Sequence, residues 1–274
     1  MHLRVAFAQT EPRFGQIPRN LERAAQLVAT AEPFDVLVLP ELFATGYLFA
    51  DRAELAELAE PRDGATIAFL AEIARTRDAW VAGGFAERDG ESLYNSAALV
   101  GPDGTAHVYR KVHLFDRETE LFDASDAPLR AFAAARREGT VRFGLMICFD
   151  WLFPECARCL ALDGADVLLH PSNLVLPWCQ DAMRTRCLEN RVFAVTANRC
   201  GADDRGSMRL SFTGASQITG PLGDVVHRAA AEGEAVHVAT VDLRAAREKQ
   251  LTSRNDLFAT RRPRAYGKLT DGAL

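Results

Sequence analysis

The sequence predicts an α/β fold with strands in the middle and helices outside. Apolar strand-like runs alternate with amphipathic helical segments along the chain. After an irregular stretch the same alternation resumes in the second half. No Pro-, Gly- or Ser-rich linker breaks the run and no sequence repeat is evident, so residues 1–274 read as a single domain.

The elements follow in order. LRVAFAQ (3–9) and DVLVLPE (35–41) read as strands. Between them PRNLERAAQLVATA (18–31) carries apolar residues at helical spacing, which makes a β-α-β unit. ATIAFLAEIARTRDA (65–79) is a second amphipathic helix and WVAGGFAE (80–87) a strand. LYNSAALVGPDGTAHVYRK (93–111) is a hairpin turning at Pro102-Asp103-Gly104. Beyond the irregular stretch, TVRFGLMIC (140–148) is a strand and PECARCLALDGA (154–165) a helix opened by Pro154 in its first turn. DVLLHP (166–171) is a strand, CQDAMRTRCLENR (179–191) a helix and VFAVTAN (192–198) a strand. SFTGASQITGPLGDVVHRA (211–229) is a hairpin turning at Pro221-Leu222-Gly223-Asp224. HVATVDL (237–243) is the last strand, a short helix follows, and the tail from Ser253 to Leu274 is Arg-rich.

Composition excludes several classes. Hydrophobic residues at 48% and charged residues at 25% suit a chain with a large core. A net charge of −5 gives no electrostatic reason to expect nucleic acid, whose binding needs clustered Lys and Arg. No segment reaches the roughly 18 apolar residues of a membrane span. The start, MHLRVAFAQTEP, lacks the order of a secretion signal, so a cytoplasmic location is expected, where thiols stay reduced. The six cysteines then read mostly as small buried hydrophobes, with one chosen for reactivity.

Three titratable residues interrupt the carboxyl ends of apolar strands: Glu41 after VLVLP, Lys111 after the hairpin, and Cys148 after GLMI. That edge is where α/β sheets bind ligands. A thiol with an ordinary pKa of about 8.5 needs help to attack at neutral pH. A glutamate can take its proton, and a lysine can hold the charge that grows on a carbonyl oxygen, so the set suits acyl transfer. The competing pair Cys156-Ala-Arg-Cys159 lacks further ligands for a structural zinc site and lies inside a helix, away from a thiolate-stabilising N-terminus. Cys179, Cys187 and Cys200 read as packing residues, and His113 as a structural histidine.

At these positions the chain resembles the nitrilase, or carbon–nitrogen hydrolase, superfamily. The resemblance rests on LPELFATGY around Glu41, YRKVHLFDRE around Lys111 and GLMICFDWLFPE around Cys148, in that order. AFAQTEPRFG, LYNSAALVGPDG, ADVLLHPSN, RCLENRVFAVTANRCG and NDLFATRRPRAY extend it along nearly the whole chain. It implies a four-layer αββα sandwich and a Glu41-Lys111-Cys148 triad. Glu118, seven positions after the lysine and favoured over Glu120, would be a fourth residue. It implies no metal or organic cofactor, and a homodimer or higher homo-oligomer, with the helices after Cys148 and at 179–191, and the tail of residues 253–274, at the interface. In the mechanism it implies, Lys111 and the backbone N–H of Phe149 hold the oxyanion and a thioester forms on Cys148. The Cys148-Phe149-Asp150-Trp151 run is closer to the amidase and carbamoylase branches than to nitrilases, so a small aliphatic carboxamide is the expected substrate. Nitriles and N-carbamoyl amides are the alternatives, and a catalytically silent scaffold is a remote one. Tyr47, Phe122, Trp151, Asn173 and Trp178 are candidate pocket walls. Ala124-Ser125 stands where the family has Pro-Gly.

Overall fold

The computed structural model describes residues 1–136 and 138–269. The first half runs β1 (His2–Gln9), α1 (Ile17–Ala29), β2 (Val36–Val38), α2 (Arg52–Leu58), α3 (Ala65–Arg77), β3 (Trp80–Asp89), β4 (Ser92–Val100), β5 (Ala106–Arg110) and α4 (Glu118–Leu121). The second half runs β6 (Ala131–Arg136), β7 (Gly139–Leu145), α5 (Pro154–Leu162), β8 (Val167–Ser172), α6 (Cys179–Asn190) and β9 (Phe193–Asn198). It continues through β10 (Ala202–Arg205), β11 (Met208–Ser211), β12 (Gln217–Thr219), β13 (Val225–Arg228), β14 (Ala235–Asp242) and α7 (Arg244–Arg247).

Two six-stranded sheets form, in the orders β14-β1-β2-β3-β4-β5 and β13-β12-β9-β8-β7-β6. They share one plan. In each, three central strands are parallel (β1-β2-β3 and β7-β8-β9) and the outer strands antiparallel. The inner faces meet where β1 lies on β9 and β12, and β2 and β3 on β8. Helices α1 and α3 cover the first sheet, α5 and α6 the second, giving four αββα layers. Central strands covered on both faces tend to run apolar, and β2, β8 and β9 are buried along their whole length, their few polar residues such as His170 included. One core lies between the sheets and under α5 and α6, around Phe7, Phe143, Leu168 and Val195; another lies under α1 and α3, around Leu37, Leu70 and Phe85.

Four features differ from the sequence expectation. The strand expected to reach Cys148 stops at Leu145, because the Asp150 carboxylate takes the Ile147 N–H at 2.8 Å and turns the chain. The stretch expected to be irregular contains β6, an alanine-rich edge strand whose small side chains give a weak alternation signal. The hairpin β10–β11 and helix α2 were likewise unmarked by periodicity.

Candidate active site

Glu41 follows β2 on a loop that passes very close to β3. A β-carbon on Gly84 would lie 2.5 Å from Cα of Glu41 and 2.8 Å from the Leu42 nitrogen, so only glycine permits the approach. Lys111 follows β5, its backbone N–H donating to the Asn95 carbonyl at 2.8 Å. Glu118 opens α4, where its Oε2 accepts the Phe115 N–H at 2.9 Å. All three side chains are buried.

Lys111 Nζ sits between the two carboxylates, 2.8 Å from Glu41 Oε1 and 2.9 and 2.7 Å from the Glu118 oxygens. Asn95 Nδ2 donates to the same Glu41 Oε1 at 2.7 Å. Glu41 Oε2 is left buried with no partner among the described residues. Burial opposes charge on Lys111, but Glu118 and Glu41 outweigh it and hold the ammonium well above its ordinary pKa. Burial, and then the Glu41 charge, raise the Glu118 carboxyl against the pull of Lys111. Glu118 rather than Glu120 faces the lysine; Glu120 is exposed, 3.9 Å from Arg117.

Cys148 comes from the second sheet. It opens a 3₁₀ turn, Cys148–Leu152, with φ +39°, in the left-handed region that side-chain-bearing residues avoid. His170 on β8 braces it, with Nε2 2.9 Å from the Cys148 carbonyl oxygen. Burial lowers the His170 pKa to about 4, so the ring is neutral and donates there. Burial and the neighbouring Glu41 carboxylate push the Cys148 thiol well above its ordinary value; Lys111 and the Asn173 backbone N–H pull the other way without reversing it. Cys148 therefore rests as a thiol and would need a base to attack.

The remaining candidates scatter. Tyr47 is half-buried, and desolvation of its phenol, together with the nearby Glu118 and Glu41 charges, raises it well above its ordinary value. Asn173 is buried, and neither polar atom of its side chain has a partner among the described residues. Phe149 packs edge-on to Phe115 and Phe153. Trp151 lies in the main core. Phe122 packs with Phe49, and Trp178 is 61% exposed ahead of α6. A cavity of about 310 Å³ adjoins Glu118, walled by Tyr47, Phe49, Phe115, Phe122, Met208 and Leu210. Asp203 holds its Tyr47 wall, accepting the N–H groups of Tyr47 and Leu48 at 3.1 and 3.2 Å. Past Glu118, Asp123 pins the chain to β4 by accepting the Leu93 N–H at 2.7 Å.

All six cysteines are free. Cys156, Cys179 and Cys187 are buried, and burial raises each thiol. Cys159 is exposed, so it is the thiol a reagent in solvent meets first. Among the described residues one group could hold a metal ion: His113, Asp150 and Cys156 place ligand atoms within 4.8 Å of one another. These atoms already serve one another, His113 Nδ1 lying 2.8 Å from Asp150 Oδ1 and 3.5 Å from Cys156 Sγ.

Sequence reasoning missed Asn95 and His170. Each had a faint signal, an amide inside LYNSAALV and an imidazole inside VLLHP, polar groups in strands that are otherwise apolar.

The chain is similar to known proteins along most of its length. A nitrilase of Pyrococcus abyssi is 43% identical over 267 residues, covering 96% of this chain and 99% of that one. An (R)-stereoselective amidase of Pseudomonas is 38% identical over 245 residues, covering 88% of this chain and 85% of the relative. The crystal structure of a carbon-nitrogen hydrolase from Helicobacter pylori shares the fold, with a TM-score of 0.88 at 22% identity and full coverage of both chains. An amidase from Nesterenkonia, solved as a double mutant with acrylamide, gives 0.81 at 25% identity, covering 98% of this chain and 97% of that one. Residues 4–250 match the carbon-nitrogen hydrolase family, and the chain belongs to it.

Proposed function

We propose that the protein is a cysteine-dependent amidase that releases ammonia from small aliphatic carboxamides through a thioester on Cys148. One observation carries the reading. Glu41 has one oxygen fixed by Lys111 and Asn95 and the other buried and unpaired, beside a thiol that burial keeps protonated. Glu41 Oε2 takes the thiol proton as Sγ attacks the carbonyl carbon. The Lys111 ammonium and the Phe149 backbone N–H hold the resulting oxyanion. Glu41 then passes its proton to the departing nitrogen as the C–N bond breaks. Ammonia leaves, and the thioester remains. Glu41 next takes a proton from water as its oxygen attacks the thioester; the carboxylic acid leaves and Cys148 regains its proton. Glu118 orients Lys111, and Asn173 and Tyr47 face the substrate.

The Pseudomonas and Nesterenkonia amidases support amides, whereas the Pyrococcus relative supports a second reading, nitrile hydrolysis by the same residues. Ammonia release from a panel of carboxamides, nitriles and N-carbamoyl compounds separates the two. Mass spectrometry with a slow amide will show an acyl adduct on the Cys148 peptide. An adduct on Cys156 or Cys159, or no turnover of any compound by folded protein, overturns the proposal.

We also propose a homodimer that pairs through α5 and α6. Leu162 on α5, Leu188 on α6 and Leu152 just ahead of α5 are exposed, apolar residues a partner would cover. Light scattering at micromolar concentration tests it; a 30.0 kDa species alone refutes it.

A further inference from the structure

Asp150 lies two residues beyond the proposed nucleophile, fully buried, and its carboxylate is shared between two segments of the site. Oδ2 accepts the Ile147 N–H and the Tyr109 hydroxyl, both at 2.8 Å. Oδ1 accepts the His113 N–H at 3.3 Å and lies 2.8 Å from His113 Nδ1. Tyr109 Oη in turn accepts the Val112 N–H at 3.2 Å. One side chain thus grips the chain immediately before Cys148 and on both sides of Lys111. Tyr109 belongs to the first sheet, and the Cys148 turn leaves the second, so the grip spans the layers. The His113 ring is itself fixed, stacked on Phe153 with centroids 3.6 Å apart and backed by Cys156 Sγ at 3.5 Å.

We propose that Asp150 is a positioning residue for the reaction, a carboxylate that holds the Lys111 segment and the Cys148 turn in register. The proposal rests on the amidase reading above. Cys148 adopts a positive φ, so its turn needs support from outside, and the Asp150 backbone N–H also closes that turn on the Ile147 carbonyl at 3.0 Å. Only a carboxylate fits. Each oxygen serves a different backbone N–H, and an asparagine, with one acceptor oxygen, must turn its NH₂ toward either Ile147 or His113. Register between an oxyanion donor and a nucleophile is worth much, since a displacement of about 1 Å can cost about 100-fold in rate.

The test compares Asp150→Asn, Tyr109→Phe and the double variant, with kcat and KM expressed per folded molecule from urea unfolding. Asp150→Asn will lower kcat about 100-fold with KM changed less than about threefold, the split expected of lost alignment. Tyr109→Phe will lower kcat about tenfold, and the double variant will be no slower than Asp150→Asn, because both act through one clamp. A merely structural role would lower the unfolding midpoint and leave kcat per folded molecule unchanged; that result overturns the proposal, as do effects that multiply. If Asp150→Asn does not fold, Tyr109→Phe decides alone, and wild-type kcat in it refutes the clamp. Cys148→Ala separates the two claims. A Cys148→Ala enzyme that still turns over sinks the amidase reading, whereas a dead one beside a fully active Asp150→Asn sinks only the positioning role.

Discussion

The two sheets share a strand plan but bring unlike chemistry to the gap between them. The first supplies Glu41, Lys111, Glu118 and Asn95, charged or amide groups tied to one another at 2.7–2.9 Å along the Glu41–Lys111–Glu118 line. The second supplies a protonated thiol, a neutral imidazole and an amide with neither polar atom engaged among the described residues. The difference shows where order is needed. Charges that must not move are held by other charges, whereas Asn173, the free oxygen of Glu41 and Asn95 Oδ1 lack partners among the described residues, and in the proposed reaction Asn173 and the Glu41 oxygen are those available to a substrate.

Lys111→Met tests the charged side hardest. Removing the ammonium leaves two buried carboxylates uncompensated, at about 3–5 kcal/mol of stability, and removes the proposed oxyanion donor, worth about 2.7–4 kcal/mol of barrier. Urea unfolding and turnover will both collapse; an intact unfolding midpoint would show that the cluster is not carrying charge as drawn. On the neutral side, Cys148→Ala will abolish turnover while moving stability by only about 1 kcal/mol, and a large loss of stability there would erase the contrast between sheets. Glu41→Gln falls between them, with turnover down about 10²–10⁴-fold and substrate still bound; a rate within tenfold of wild type would remove Glu41 as the base.

The smallest effect is a pH slope from His170. Its ring titrates near 6.5 when unfolded and at about 4 when folded, so the unfolded chain binds the extra proton in that window. Its contribution is therefore full above pH 6.5 and lost as pH falls toward 4, about 3 kcal/mol at most. His170→Asn will lose less stability between pH 7 and 4.5 than wild type. Equal slopes would mean that the ring protonates freely in the fold.

Much of this site is legible in the sequence because the proposed catalytic groups interrupt apolar runs. Glu41, Lys111 and Cys148 stand out against VLVLP, HVYR and GLMI as polar residues where burial was due. Glu118 and Glu120 look alike locally, and family spacing favoured the one that faces the lysine. Asn95, His170 and Asp150 stayed hidden because each acts on a partner 22 or more residues away, a relation that periodicity does not carry. The strand end was misread for a related reason. Met146 and Ile147 are as apolar and buried as the end of β7, and pattern reports burial rather than which N–H meets which carbonyl.

The backbone of Cys148 also bears on how this enzyme can be improved. A left-handed φ of +39° at a residue with a side chain is a conformation that costs on the order of 1–3 kcal/mol, and the chain tolerates it where the thiol is needed. Stability and turnover are therefore opposed at this residue. Cys148→Gly, inert but unstrained, should melt above Cys148→Ala; screens for thermostability alone would drift toward glycine here, and must score activity to keep the sulfur.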